Sequence, residues 1–153
     1  MSLALRFGKP EERRLLEELQ RRASLMWEEY RPYLLANPDV IELPLAQLRE
    51  GRVRVAELDG RVAGFSVLLR KNGFCELDGL FVMPELWGLG VGRALVEDAL
   101  AIARAGGAAA IETVANPRAE GFYARLGFTV SGQAQTQFGP ANRMRIFAFS
   151  AET

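Results

Sequence analysis

One twelve-residue run carries the clearest chemistry in the chain: Val82-Met83-Pro84-Glu85-Leu86-Trp87-Gly88-Leu89-Gly90-Val91-Gly92-Arg93. It reads as a strand end, a short loop, the alternating glycines Gly88, Gly90 and Gly92, and then a helix. Glycine lets backbone N–H groups approach a ligand closely, and a helix N-terminus presents donors with about half a positive charge. Such a turn suits a diphosphate. A tight strand-to-helix connection that needs glycine only for its φ angles would use the same residues. Two other phosphate patterns fit less well. A P-loop would end in Gly-Lys-Ser/Thr, where this chain has Gly92-Arg93-Ala94. A dinucleotide turn wants G-x-G-x-x-G directly after a strand of a parallel sheet, with an acid about 20 residues on. Glu112 has that separation from Gly92, but the glycine spacing differs and Met83 to Trp87 intervene.

The second constellation runs from Asn116 to Phe128, Asn-Pro-Arg-Ala-Glu-Gly-Phe-Tyr-Ala-Arg-Leu-Gly-Phe. Its local logic is that of a helix: Asn116 as N-cap, Pro117 at the first helical position, an apolar face of Ala119, Phe122, Tyr123 and Leu126, and Gly127 as the stop. The sequence has no histidine, which removes Ser-His-Asp and Cys-His catalysis and every histidine metal ligand. Cys75 is the single cysteine and has the apolar Phe74 and Leu77 near it in sequence, so it reads as a packed small hydrophobe. Chemistry is left to carboxylates, tyrosine, lysine and backbone.

The elements that position these residues follow from periodicity. Leu3 to Phe7 alternates like a strand, and after Pro10 a helical stripe of Leu15, Leu16, Leu19, Ala23, Met26 and Trp27 follows. Glu17/Arg21 and Glu18/Arg22 are spaced as i,i+4 pairs on a solvated face. Pro32 and Pro38 bound a short helix or irregular stretch, and a helical turn is expected around Leu45 to Arg49. Val53 to Leu58, Val62 to Arg70 and Phe74 to Val82 read as strands joined by Asp59-Gly60 and Asn72-Gly73, dipeptides suited to primed hairpin turns in which both residues take positive φ. A helix over Gly90 to Ala105, a strand over Ala109 to Ala115, a helix over Pro117 to Leu126 and strands over Phe128 to Ser131 and Arg143 to Phe149 complete the chain. The fold class expected is mixed α/β, a mostly antiparallel sheet covered by helices. No linker or repeat divides it, and residues 1–153 read as one domain.

Together the two motifs resemble the GNAT (GCN5-related N-acetyltransferase) superfamily, whose patterns are Arg/Gln-x-x-Gly-x-Gly/Ala after the fourth strand and Asn-x-x-Ala-x-x-x-Tyr-x-x-x-Gly-Phe after the fifth. Gly90 and Gly92 fit the first; Asn116, Ala119, Tyr123, Gly127 and Phe128 fit the second. Trp87 departs from it, standing where the family usually has Arg or Gln. The resemblance implies a sheet splayed between its fourth and fifth strands and acetyl-CoA as cosubstrate, with no metal. It implies that Leu80, Phe81 and Val82 offer backbone hydrogen bonds to pantetheine, that Trp87, Gly88, Leu89, Gly90, Val91, Gly92 and Arg93 hold the diphosphate, and that Asn116 contacts the cofactor. Gly79, a glycine inside a strand pattern, suggests a bulge beside these residues. In this family an amine attacks the thioester directly and a tyrosine at the position of Tyr123 protonates the leaving thiolate. Candidate bases are Asp78 first, then Glu76, Glu112 and Glu28. Trp27, Tyr30, Tyr33, Phe138, Asn142 and Arg143 lie where the fold usually shapes its acceptor pocket.

Lys plus Arg and Asp plus Glu each total 19, so no net field attracts nucleic acid or an anionic membrane, and neither is expected as a partner. The N-terminus lacks the apolar stretch of a signal peptide and no run approaches the ~20 residues of a membrane span, which favours a cytoplasmic protein. The expected partner is a small-molecule or peptide amine acceptor, whose identity the sequence leaves open, as it does the acyl chain length, the general base and the oligomeric state, a homodimer included. A non-catalytic acyl-CoA-binding sensor or structural module is the alternative, and a nucleotide-binding domain of another family is a more distant one.

Overall fold

Asp59 and Gly60 both adopt positive φ, 52° and 83°, so the first hairpin turn is of the primed kind its Asp-Gly sequence favours. At the second turn Gly73 has φ 87° while Asn72 stays on the ordinary side, and the Lys71 N–H donates to the Phe74 carbonyl at 2.8 Å. Only the glycine of that dipeptide uses the left-handed region, which corrects the expectation of two positive φ values. The structure, a computed structural model, describes residues 1–149; the last four residues of the expected domain lie outside them. Its seven strands are hydrogen-bonded in the order β1-β2-β3-β4-β5-β7-β6. All the registered pairs are antiparallel except β4 with β5, which run parallel.

The chain falls into two compact units, Met1–Val67 with Gly79–Val96, and Leu68–Asp78 with the chain from Glu97 onward. The divisions fall inside β3, β4 and the helix α4, where no composition shift marks them. The first unit contains β1 (Leu3–Phe7), α1 (Arg13–Ser24), α2 (Arg31–Ala36), α3 (Leu45–Arg49), β2 (Val53–Leu58), most of β3 (Arg61–Arg70), the second half of β4 (Cys75–Val82) and the start of α4 (Val91–Ala105). β1 pairs with β2 from Leu3↔Leu58 to Phe7↔Arg54, and β2 with β3 from Val53↔Val67 to Leu58↔Arg61. Their alternation buries Ala56, Leu58 and Ala63 with Val91 and Leu95 of α4, and Leu80, Val82 and Leu86 pack against that cluster. Each such aliphatic side chain taken fully from water stabilises the fold by about 1.5–3 kcal/mol.

Helix α1 buries Leu16, Leu19 and Ala23 of the expected stripe but leaves Leu15 exposed, and it ends before Met26, also exposed, and Trp27. Its charges do not form the expected i,i+4 pairs. The Glu17 carboxylate accepts from the Leu43 N–H at 2.8 Å and meets Arg13 at 3.3 Å, the Arg21 guanidinium donates to the Leu34 and Pro38 carbonyls, and Arg22 reaches Glu85 at 3.0 Å. Backbone carbonyls at the end of α2 and at Pro38 hold Arg21 in place of a carboxylate one turn away, because an i,i+4 pair on a helix surface contributes at most about 0.5 kcal/mol.

The second unit contains β5 (Ala110–Ala115), α5 (Glu120–Arg125), β6 (Thr129–Thr136) and β7 (Gly139–Phe147). Backbone register between β4 and β5 is at Cys75↔Ile111 and Glu76↔Glu112; at Leu77 the partner is already a side chain, the Thr113 hydroxyl donating to its carbonyl at 2.9 Å. The ladder therefore stops near the start of β4, as a splayed sheet requires. β6 and β7 form one long hairpin, Thr129↔Arg145 to Thr136↔Gly139, reaching further than the sequence expectation at both strands. The extra length is polar and mostly exposed, so it carries no apolar alternation to read.

Candidate functional site

At the end of β4 the Met83 N–H donates to the Ala63 carbonyl at 2.8 Å, and the Phe81 carbonyl lies 2.6 Å from where a Cβ on Gly64 would sit. Residues 81 and 83 thus turn their backbone groups to β3. By the period of a strand, Leu80 and Val82 turn theirs to the opposite edge. This divides the three residues assigned to pantetheine: Leu80 and Val82 present backbone to that edge, while Phe81 does not. The Val82 carbonyl is further engaged by the Trp87 indole N–H at 2.9 Å, which leaves its N–H as the group on offer. Gly79 is accounted for by the Phe81 ring, whose Cε2 lies 2.7 Å from the Cβ position; any side chain there would displace the ring from Phe65.

After Trp87 the chain turns through Gly88 at φ 84° and Gly90 at φ 87°. A Cβ on either would meet nothing within 4 Å, so these glycines serve the backbone conformation and face open space. The Ala94 N–H donates to the Gly90 carbonyl at 3.0 Å, the first bond of α4. The amides of Val91, Gly92 and Arg93 lie in the turn ahead of that bond, where a helix concentrates positive potential. Gly92 already lies inside the helix and is not among the positive-φ residues.

The candidate bases separate clearly. Asp78 is exposed on β4 and has no side-chain partner among the described residues. Glu76 is 3.7 Å from Lys71. Glu112 is buried and held by Arg145, through a 2.9 Å bond from Nε and a second contact from Nη2, with Arg143 at 3.9 Å. That ion pair takes Glu112 out of the running as a base, and Glu28 is exposed beyond the end of α1. Of the residues assigned to the acceptor, Trp27 stacks on Trp87 with ring centroids 5.7 Å apart, which places it on the turn before Gly88. The Tyr33 carbonyl accepts from Asn37, and Tyr30 is half-buried at the start of α2. In the second unit Asn142 donates to Glu120 at 3.2 Å, Arg143 faces Glu112, and Phe138 is exposed in the β6–β7 turn.

Asn116 caps a 3₁₀ turn, Pro117–Ala119, that leads into α5, its Oδ1 accepting from the Arg118 N–H at 2.8 Å, so the helix expected over Pro117 to Leu126 begins as 3₁₀ and becomes α-helical at Glu120. Tyr123 is buried on α5, edge-on to Phe122 and Phe128 at 5.1 and 5.2 Å. Burial pushes its phenol up to about 12, and a hydrogen bond with Thr113 works in the other direction. Thr113 is buried in β5 and links Tyr123 to the Leu77 carbonyl. The sequence reading missed it, although a lone hydroxyl in the run Ala-Ile-Glu-Thr-Val-Ala was a signal. A hollow of about 670 Å³ beside α1 is lined among others by Arg13, Glu17, Arg21 and Ile41, and its Arg13 and Arg21 bind a carboxylate and carbonyls of the same unit.

Residues 13–128 match the acetyltransferase (GNAT) family. The chain belongs to that family. Among its relatives, an uncharacterized N-acetyltransferase of Mycobacterium tuberculosis is 33% identical over 91 residues, 57% of this chain and 58% of the relative. The peptidyl-lysine N-acetyltransferase YjaB of Escherichia coli is 40% identical over 83 residues, 54% of this chain and 52% of the relative. The match thus spans little more than half the length of either. In fold, this GNAT chain is similar to the PaiA N-acetyltransferase of Thermoplasma acidophilum, solved in complex with coenzyme A, at a TM-score of 0.77 and 22% identity, covering 95% of this chain and 98% of that one. Among the described residues no helix is long and apolar enough to cross a membrane.

Proposed function

We propose that this GNAT chain transfers an acetyl group from acetyl-CoA to a primary amine by direct attack of the amine on the thioester. The observation that carries this reading is the turn at Gly88 and Gly90, which faces open space and delivers the chain into the N-terminus of α4. Its amides would hold the diphosphate, and the Leu80 N–H and C=O together with the Val82 N–H, turned away from β3, would meet the pantetheine amides. In the reaction the neutral amine nitrogen bonds to the carbonyl carbon, the C–S bond breaks with the sulfur leaving as thiolate, and the nitrogen, cationic once bonded, gives its second proton to solvent to leave the amide. The attacking amine must first lose a proton. Asp78, exposed and without a partner, is proposed to take it, directly or through water.

Tyr123 is proposed to stabilise the departing sulfur. With its phenol pushed up to about 12 it stays protonated through neutral pH. A thiol titrates near ~8.5, so complete transfer to the thiolate would be uphill by roughly 5 kcal/mol. Its contribution is therefore a hydrogen bond that strengthens as charge builds on sulfur, with the proton finally supplied by solvent. A peptidyl-lysine acetyltransferase among the relatives supports a lysine side chain as the first acceptor to try.

Thiol release from acetyl-CoA, followed against a panel of amines that includes lysine peptides, tests the proposal. Release that depends on one class of amine is expected. Tight binding of coenzyme A with no release for any amine would replace the enzyme by an acyl-CoA sensor.

A further inference from the structure

Gly88 and Gly90 lack any side-chain restraint, so the direction of the turn's amides is set by what anchors its two ends. The downstream end is Val91, buried in the core cluster of the first unit. The upstream end is Trp87. Its indole N–H donates to the Val82 carbonyl at 2.9 Å, closing the 82–87 loop on itself, and its backbone N–H donates to the Pro84 carbonyl at 3.2 Å. Its ring stacks on Trp27 at an interplanar angle of 26°. One turn-like step earlier, Arg22 of α1 binds Glu85 at 3.0 Å and reaches the Met83 sulfur at 3.8 Å. The end of α1 and the residues that follow it thus grip this loop at two places. Yet Trp87 remains 43% exposed, more than packing alone would leave an indole.

We propose that Trp87 is a positioning residue for acetyl-CoA, fixing the upstream end of the Gly88–Arg93 turn through its bond to Val82 and its stack on Trp27. This rests on the reading of that turn as the diphosphate site. A turn held at both ends has less freedom to lose when the cofactor binds, so the anchor acts on affinity and leaves the chemical step alone. The indole also takes the Val82 carbonyl out of reach of pantetheine, which leaves the Val82 N–H and the Leu80 groups to carry that part of the cofactor.

Trp87→Phe keeps a ring for the stack and deletes the N–H; Trp27→Leu keeps the N–H bond and deletes the stack. Coenzyme A is titrated calorimetrically into the full chain and both variants, and acetyl-CoA kinetics are measured with an accepted amine. Trp87→Phe is expected to weaken coenzyme A about five- to tenfold and Trp27→Leu about threefold, the worth of one hydrogen bond or one aromatic contact. The KM for acetyl-CoA should rise by the same factors while kcat holds. Trp27 and Trp87 are the chain's two tryptophans, so its indole emission comes from this pair and should change as coenzyme A saturates. Unaltered affinity in Trp87→Phe, a fall in kcat at constant KM, or unaltered emission at saturation would each overturn the proposal. Should Trp87→Phe fail to fold, Trp27→Leu and the wild-type emission decide it. A wild-type chain that does not bind coenzyme A at all would refute the diphosphate reading itself, and this inference with it.

Discussion

Gly90 and Gly127 both hold left-handed backbone, at φ 87° and 103°, and both sit at a helix end. Around Gly90 a Cβ would meet nothing within 4 Å; at Gly127 it would touch Ile146 Cδ1 at 3.4 Å. The first turn is built against open space, and the second is closed by the protein's own side chains. The same contrast separates Trp87, half-exposed beside the first turn, from Tyr123, buried before the second. A left-handed glycine alone therefore says little about ligands; what fills the space beside it does.

If the packed region is held chiefly by its own contacts, breaking its buried charge should give the largest effect on stability. Glu112→Ala removes the carboxylate that faces both Arg145 and Arg143 and is expected to cost about 3 kcal/mol, the lower end for a buried pair because both arginines reach solvent. Denaturant unfolding measures this, and turnover per folded molecule should stay near wild type; a collapse of turnover with stability intact would return Glu112 to the list of bases. The two glycines should then diverge. Valine at either position meets roughly 1–3 kcal/mol of backbone strain. Gly90→Val is expected to weaken coenzyme A about 100-fold with a modest change in melting temperature, and Gly127→Val to lower melting temperature by roughly 5–10 °C with affinity per folded molecule nearly kept. Equal losses of affinity in both would erase the comparison.

Tyr123 sharpens the packed side further. The unfolded chain releases this proton near pH ~10 and the folded chain at about 12, so the folded state holds a proton that the unfolded state has lost. Stability from this group is complete below pH ~10 and falls by up to about 3 kcal/mol as pH rises to ~12; it does not vary at neutral pH. Urea unfolding across that window should show the slope, and Tyr123→Phe should lack it. The same variant should lower kcat about tenfold, below the usual ~10²- to 10⁴-fold of a positioned acid, because the donor is far less acidic than a thiol and offers only a hydrogen bond. The smallest effect is at Ser66, whose buried hydroxyl has no hydrogen-bond partner among the described residues. Ser66→Ala is expected to raise stability by about 1 kcal/mol in thermal unfolding, with activity unaltered.

Much of this was legible in the sequence. Strand and helix positions followed from alternation and from the stripe of Leu16, Leu19 and Ala23, and the Asn116 cap and Gly127 stop followed from local chemistry. The glycine turn was legible because its geometry is local. Long-range partners were not. Nothing near Glu17 shows that its carboxylate will bind the Leu43 N–H, and nothing near Trp27 shows that its ring will stack on Trp87. At Gly79 a period-two pattern shows a residue without a side chain but not the neighbouring Phe81 ring that lies over the gap. The burial of Glu112 likewise depends on Arg145, 33 residues away, arriving beside it in β7.

The central claim is that the open turn of Gly88–Arg93, and not the closed one at Gly127, receives the cofactor. Backbone amide shifts of the ¹⁵N-labelled chain, followed through a titration with coenzyme A, test it most directly. The account predicts that the largest shifts fall on Gly88 to Arg93, with smaller ones at Leu80 and Val82. Saturable binding that leaves Gly88 to Arg93 unmoved would contradict it.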